Sequence, residues 1–504
     1  MLLSFSLKKL AYAVSPSAIH PLLNRIEASD LGSRLATGIF WSMSGSVISR
    51  GLMLCATILV ARMLGKTGYG ELGMVQSTVG MFGVFAGFGL GLTAIKHVAE
   101  YRQSDPERAG RIIGLTGLIA LGTGGLMALG LFIFAPWLAG QTINAPHLTN
   151  ILRIGALILF INALNGAQTG ALSGFEAFKT IAHVNLFIGL LSFPILVCGA
   201  YFGGLSGAVW AMVINLCLNW LLNHFALRKE TRRYHVNLSF KNCGQELPIL
   251  WRFALPATLS GVMVGPANWA CRAMLTNQTN GYGEMGILTA ALVFQGLLMF
   301  VGGMLSAPLL SMVSSSASEK IPLKLGTINI LSTWVLGVFA AIPLLCFPEI
   351  AQLAFGDDYA TRGFRLTFVL IVFCTTIMMF KEGLARVLAA KNLLWWGFFS
   401  NTFWALTLIG CTVFMVRWGA FGLATSLTIA YILNTLILVP LYSSRNLVPK
   451  GTLLSFESAS IWGAIVFLVF LNIVDASMVL RSISFTISLV IVSVSFRKIL
   501  NIQK

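Results

Sequence analysis

A glycine-rich heptapeptide, Gly68-Tyr69-Gly70-Glu71-Leu72-Gly73-Met74, returns 213 residues later as Gly281-Tyr282-Gly283-Glu284-Met285-Gly286-Ile287. Each copy stands between two long apolar runs, so a fold open to one half of the chain must be open to the other. Two further echoes hold the register. Gly170 and Gly383 are again 213 residues apart near the ends of equivalent runs. Gly204-Leu205-Ser206-Gly207 with Asn219 is answered 215 residues on by Gly419-Ala420-Phe421-Gly422 with Asn434. A slip of two residues is what loop insertions produce. The chain reads as a duplicated unit.

The runs that carry the repeat fix its surroundings. Of 504 residues, 57% are hydrophobic and 10% charged, against roughly 25% charged in a soluble protein. The runs are about 20 residues long, the length of a bilayer-crossing helix. The fold class expected is an all-α polytopic membrane protein of about 14 transmembrane helices, with two six-helix lobes and two extra C-terminal helices. The divisions are a cytoplasmic, amphipathic N-terminal segment (1–33), an N-terminal lobe (34–227), a basic cytoplasmic linker (228–250), a C-terminal lobe (251–442), and two additional helices with a cytoplasmic tail (443–504). Six is an even number, so both copies enter the membrane from the same side and form a parallel repeat about an axis along the membrane normal.

Lysines and arginines orient the chain. With the N-terminus in the cytoplasm, 23 of them flank the runs on the inner side and 8 on the outer, which places both termini in the cytoplasm. The net charge of +17 then reflects topology, and nucleic acid is not expected as a partner. The linker sequence Arg228-Lys229-Glu230-Thr231-Arg232-Arg233 either rests on anionic headgroups or is a solvated loop. Eight scattered cysteines have neither metal nor disulfide spacing. No loop is long enough for a soluble domain, so a membrane-embedded polymerase or glycosyl transferase is the weakest reading, and no enzyme is expected.

Ionisable residues inside spans are costly and therefore informative. Arg50 sits near the middle of the first span, where an arginine costs roughly 2.5–3.5 kcal/mol. Ser42, Ser46, Ser49 and Thr57 share its helical stripe. Such a stripe faces a wet interior, where Arg50 binds an anion or bonds to neighbouring carbonyls. The seventh span carries a similar stripe of Thr258, Gly261, Gly265, Asn268 and Arg272, and Pro256 and Pro266 should bend it. Amides recur on the fourth span (Asn162, Asn165) and the sixth (Asn215, Asn219, Asn223), where they bond helices together or meet sugars. On the tenth span Lys381, Glu382 and Arg386 form an intrahelical ion pair or a cytoplasmic gate. Glu382 is the one carboxylate clearly within a span. A pump for cationic drugs would bury acids; this chain buries cations, which suit an anionic cargo such as a diphosphate.

With these residues in view, the chain resembles the oligosaccharide flippases of the polysaccharide transport family, in the superfamily that also holds multidrug antiporters and lipid II flippases. The likeness covers about residues 34–450. It rests on Leu64-Gly65 followed by Tyr69-Gly70, the Gly89 to Ala99 stretch closed by Val98-Ala99-Glu100, Gly174-Phe175-Glu176-Ala177-Phe178, and Phe253-Ala254-Leu255-Pro256. The resemblance implies two six-helix lobes around a central cavity in a bacterial inner membrane. It implies a polyprenyl-diphosphate-linked oligosaccharide as cargo, flipped outward by alternating access for surface polysaccharide biosynthesis, with polysaccharide polymerase machinery as a partner. Arg50, with Arg272, would hold the diphosphate, and amides of the fourth and sixth spans such as Asn165 and Asn219 would meet the sugars, with Asn268 a further substrate-binding residue. No cofactor is implied, and H+ or Na+ coupling is left open. The antiporter cousins use acids in the first or seventh span, which this sequence lacks; a multidrug or small-molecule antiporter is the alternative.

Overall fold

The computed structural model describes residues 30–240, 242–249, 255–315, 323–391, 393–444 and 455–501. The expected amphipathic segment at the N-terminus lies outside them, apart from the first helical residues. The helices in order are α1 (Asp30–Gly87), α2 (Leu90–Tyr101), α3 (Pro106–Trp137), α4 (Thr149–Gly174) and α5 (Phe178–Arg233) in the first half. The second half holds α6 (Leu255–Gly261), α7 (Val264–Thr276), α8 (Gly281–Ser315), α9 (Leu323–Cys346), α10 (Glu349–Phe355), α11 (Arg362–Ala390), α12 (Leu394–Met415) and α13 (Gly419–Ser444). Helices α14 (Phe456–Ile473) and α15 (Met478–Asn501) follow. Among the described residues there is no β-strand. In hydrocarbon each backbone N–H and C=O needs a partner within the protein, and a helix supplies it locally.

Among the described residues, ten stretches are long and apolar enough to cross a membrane. Three of these run to 55, 56 and 50 residues. As straight helices they would reach about 75–84 Å, well past a hydrocarbon core of about 30 Å. Each must fold back, and each is broken at a glycine of positive φ: Gly65 in α1, Gly204 in α5, and Gly419 between α12 and α13. The second and third of these are the 215-residue echo seen in the sequence. The seventh run is also broken, between α6 and α7, at Val262 and Met263. Pro266 has no N–H to give the carbonyl of Val262 four residues earlier, so the helix parts there.

The two halves meet through the repeated motif. Gly70 lies against the carbonyl oxygen of Tyr282 and the backbone nitrogen of Gly286, Gly286 lies against the carbonyl of Lys66, and Gly73 abuts Thr289. A Cβ at Gly70 or Gly286 would strike backbone. Each copy is the other's docking surface, which is why the sequence carries the motif twice. This end of the molecule is called the motif face below, and the opposite end the linker face.

Two latches flank the motif contact, one on free carbonyls where the π-helical turn Leu138–Thr142 ends α3, the other on those at the end of α10. From the second half, Asn277 Nδ2 donates to the carbonyl of Thr142 at 2.7 Å and the Tyr282 hydroxyl to that of Ile143 at 2.8 Å. From the first half, Arg62 donates through Nε to the carbonyl of Ala354 at 2.8 Å and through Nη2 to that of Leu353 at 2.6 Å. Both acceptors belong to the end of α10. Beside this second latch Phe355, Tyr359, Phe364 and Tyr69 form an aromatic cluster. Burial, with the nearby Asp358 carboxylate, holds the Tyr359 hydroxyl far above the usual phenol range, so the cluster stays neutral.

The described part of the linker is docked. Its chain crosses α3 where Gly110 and Gly114 leave room for the carbonyls of Asn237 and Ser239. Glu246, 5% exposed, pairs with Arg108 at 3.1 Å and Arg111 at 3.4 Å. Helices α14 and α15 pack on α9 and α11, with Trp334 between Trp462 and Phe496 at ring distances of 5.1 and 5.2 Å.

Candidate functional site

Between the halves lies a cavity of about 640 Å³, closed at the motif face by Tyr69, Leu72 and Gly73. Its polar wall is Thr57, Gln76 and Ser77 from α1, Asn268 and Arg272 from α7, and Thr289 and Gln295 from α8. Two side chambers adjoin it. One, of about 450 Å³, shares Gln76, Gly80 and Met212 with the main cavity and includes Asn162. The other, of about 430 Å³, shares Met378 and Tyr431 and is lined by Lys381 and Glu382.

Helix α7 sets the position of Arg272. Gly265, Asn268 and Arg272 fall at i, i+3 and i+7, one face of the helix, and all three line the cavity. Trp269, on the neighbouring face, donates from Nε1 to the Thr78 hydroxyl at 3.0 Å and fastens α7 to α1 across the halves. Asn268 turns its amide nitrogen to the carbonyl of Val264 at 2.9 Å. Arg272 makes no hydrogen bond and no ion pair among the described residues. Among the described residues no carboxylate lines the main cavity, and Arg272 is the one charged side chain in its wall, a cation with no counter-charge.

The other expected site residues are placed differently. Arg50 is exposed and does not line the cavity; its guanidinium lies 4.8 Å from the centre of the Phe300 ring of α8. It is three residues before Met53 and seven before Thr57, both of which do line it, so it stands one turn towards the linker face on the same stripe. Ser49 points elsewhere, packing on Gly189 and donating to the carbonyl of Asn185 at 3.2 Å. The side chains of Ser42 and Ser46 lie outside the described residues. Asn165 and Asn219 are joined through Asn223: its amide reaches Asn219 Oδ1 at 2.6 Å and Asn165 Oδ1 at 3.4 Å, while Asn165 donates to the carbonyl of Leu216. This network ties α4 to α5, and neither Asn165 nor Asn219 lines the main cavity.

On α11, Arg386 is 5% exposed and enclosed. It donates to Asn329 Oδ1 and the Asn329 carbonyl, each at 2.8 Å, to Ser306 at 2.9 Å and to Thr333 at 3.2 Å. Glu382 Oε2 lies 3.6 Å from it. Lys381 points into the side chamber, bonded to Asn434 Oδ1 and 5.6 Å from the Tyr431 ring. Sequence reasoning passed over Gln76 and Gln295, which stand alone in glycine-rich runs and form no stripe. A lone amide in an otherwise apolar span was the available signal.

This two-lobed helical arrangement is a known membrane fold. The lipid II flippase MurJ in an inward closed conformation superposes with a TM-score of 0.64 over 92% of this chain and 100% of that one, at 14% identity. An inward-facing multidrug-resistance MATE transporter of the MOP superfamily superposes at 0.59 over 81% of this chain and 98% of that one, at 16% identity. At such identity the likeness is one of fold. Residues 35–313 match the family model of the polysaccharide biosynthesis proteins; the chain belongs to that family and is a multi-pass membrane protein. It is 24% identical over 266 residues to the EPS I polysaccharide export inner membrane protein EpsE of Ralstonia nicotianae, 51% of this chain and 58% of that one. It is 26% identical over 179 residues to the lipid III flippase of Escherichia coli, 34% of this chain and 42% of that one. The matches thus span about half the length of these relatives.

Proposed function

We propose that the protein flips a polyprenyl-diphosphate-linked oligosaccharide from the cytoplasmic to the outer leaflet of a bacterial inner membrane, by alternating access. The observation that carries this reading is Arg272, an unpaired cation in the wall of a cavity without carboxylates. A half-buried charge in an apolar wall, left without a partner, is costly, and a cargo bearing its own anion supplies one. A diphosphate suits the planar fork of arginine. The cavity lies within the roughly 300–1,000 Å³ range of ligand pockets, and the side chambers leave room for sugars. The polyprenyl tail stays in lipid between the lobes. On this reading the motif face is the outer face, and residues 34–227 and 251–442 are the two rocking bodies.

The two relatives, one named for polysaccharide export and the other as a lipid III flippase, favour the same class of cargo. The carboxylate-free wall disfavours export of cationic drugs.

The test is Arg272→Ala beside Arg272→Lys in cells lacking the native gene. Export of the surface saccharide should fall by about ten- to a hundredfold with alanine, lipid-linked saccharide should accumulate on the inner leaflet, and lysine should restore part of the rate. Unchanged export with Arg272→Ala would remove the diphosphate role.

A further inference from the structure

The two latches at the motif face are alike in design and unequal in support. In the first half the accepting carbonyls of Thr142 and Ile143 are steadied locally, with His147 Nε2 2.7 Å from Glu71 Oε1 of the same half. In the second half the accepting helix, α10, is held locally through Phe355 and through Gln352, which donates to the carbonyl of Thr361 at 3.0 Å, while its N-terminal end is held from outside the duplication. Arg481 of α15, only 6% exposed, reaches Glu349 Oε1 at 2.6 Å through Nη2 and the carbonyl of Cys346 at 3.3 Å through Nη1. Asn472 of α14, 2% exposed, donates to the carbonyl of Leu345 at 2.7 Å. The turn between α14 and α15 is tied down as well: Arg365 pairs with Asp475, and Arg362 donates to the carbonyl of Ile473 at 3.1 Å.

Helix α10 is seven residues long and cannot hold itself in place. Its N-terminal residue Glu349 is gripped by Arg481, and its C-terminal carbonyls are gripped by Arg62 of the other half. The chain of contacts runs from α15 through Glu349, along α10, to Arg62. We infer that α14 and α15 brace the motif-face seal, with Arg481 as a positioning residue that sets α10 where Arg62 can engage it. The additional helices thereby bias the protein towards the state closed at this face. The inference rests on the reading that this face opens during transport, but not on the identity of the cargo.

The geometry also orders the consequences. Loss of Arg481 frees the N-terminal end of α10 while Arg62 still has its acceptors, and loss of Arg62 removes the cross-half bond itself. Because both act through one helix, their effects on the seal should not add.

The experiment uses the full chain with its native cysteines replaced and Ser77→Cys as a reporter in the cavity wall. A membrane-impermeant maleimide is added from outside to intact cells. Arg62→Ala should raise labelling about tenfold and Arg481→Gln by a few-fold to tenfold, and the double variant should label no faster than Arg62→Ala. Glu349→Gln, at a more exposed position, should match Arg481→Gln and guards against a variant that fails to fold. The exchanged pair Arg481→Glu with Glu349→Arg should return labelling towards the parent level, which a loss of packing alone would not do. Labelling unchanged in both Arg481→Gln and Glu349→Gln, with Arg62→Ala raised, overturns the brace. Labelling unchanged in Arg62→Ala overturns it too, because α10 would then hold no seal. Neither result bears on Arg272, whose test is export.

Discussion

Arg386 and Arg272 both lie in apolar helices of the second half, and their surroundings are opposite. Arg386 is enclosed by Asn329, Ser306, Thr333 and Glu382, drawn from three helices, with its donors facing acceptors. Arg272 faces a cavity and meets no acceptor among the described residues. A guanidinium removed from water needs acceptors for its five N–H groups. Where the fold supplies them, the residue is part of the scaffold. Where the fold withholds them and leaves space, the missing acceptors belong to something that comes and goes. The same comparison separates the amide ladder of Asn165, Asn219 and Asn223, whose members bond to one another, from Asn268, which lines the cavity.

Substitutions at four cations can break or sharpen that contrast. Arg386→Ala should have the largest effect, because it leaves Glu382 without its cation and the buried acceptors of Asn329 without a donor; a loss of about 3–5 kcal/mol is expected, read as loss of the folded protein from detergent extracts on a sizing column. Arg272→Ala should leave that sizing profile unchanged while export collapses. If it destabilised the protein as much as Arg386→Ala does, the contrast drawn here would be wrong. Lys381 stands between the two, with one amide acceptor and one aromatic ring. Lys381→Met, which keeps the stem, should lower thermal stability by about 1 kcal/mol or less, and its export rate reports whether the side chamber takes part in transport. Arg50→Ala should matter least: an exposed cation–π contact is worth about 0.5–1 kcal/mol, so a two- to fivefold change in export with no change in melting is expected. A hundredfold loss there would move the principal anion contact from Arg272 towards the linker face.

Much of the fold was legible because its causes are local. Apolar run length against bilayer thickness gave the helices, Pro266 gave the break ahead of α7, and the repeated motif gave two equivalent halves. The site was legible in part. Of the stripe Thr258, Gly261, Gly265, Asn268 and Arg272, read from helical spacing, the last three line the cavity and Gly261 lines a side chamber. The stripe around Arg50 divides, because Ser49 turns towards α5 and Arg50 towards α8. Spacing says which residues share a side of one helix and nothing about what stands opposite.

By itself the sequence determined that this chain lives in a membrane, that it is built twice, and that its spans carry more cations than acids. These follow from composition and periodicity, which act at every position alike. Only the tertiary structure decided which cation is satisfied and which is not. The hydrogen-bond acceptors of Arg386 lie 53 to 80 residues away in the chain, and those of Arg62 lie 291 and 292 away. Hydrogen bonds reach about 3 Å, so whether a charge finds its acceptors is fixed by how helices come together, a property that no single helix carries in its own residues.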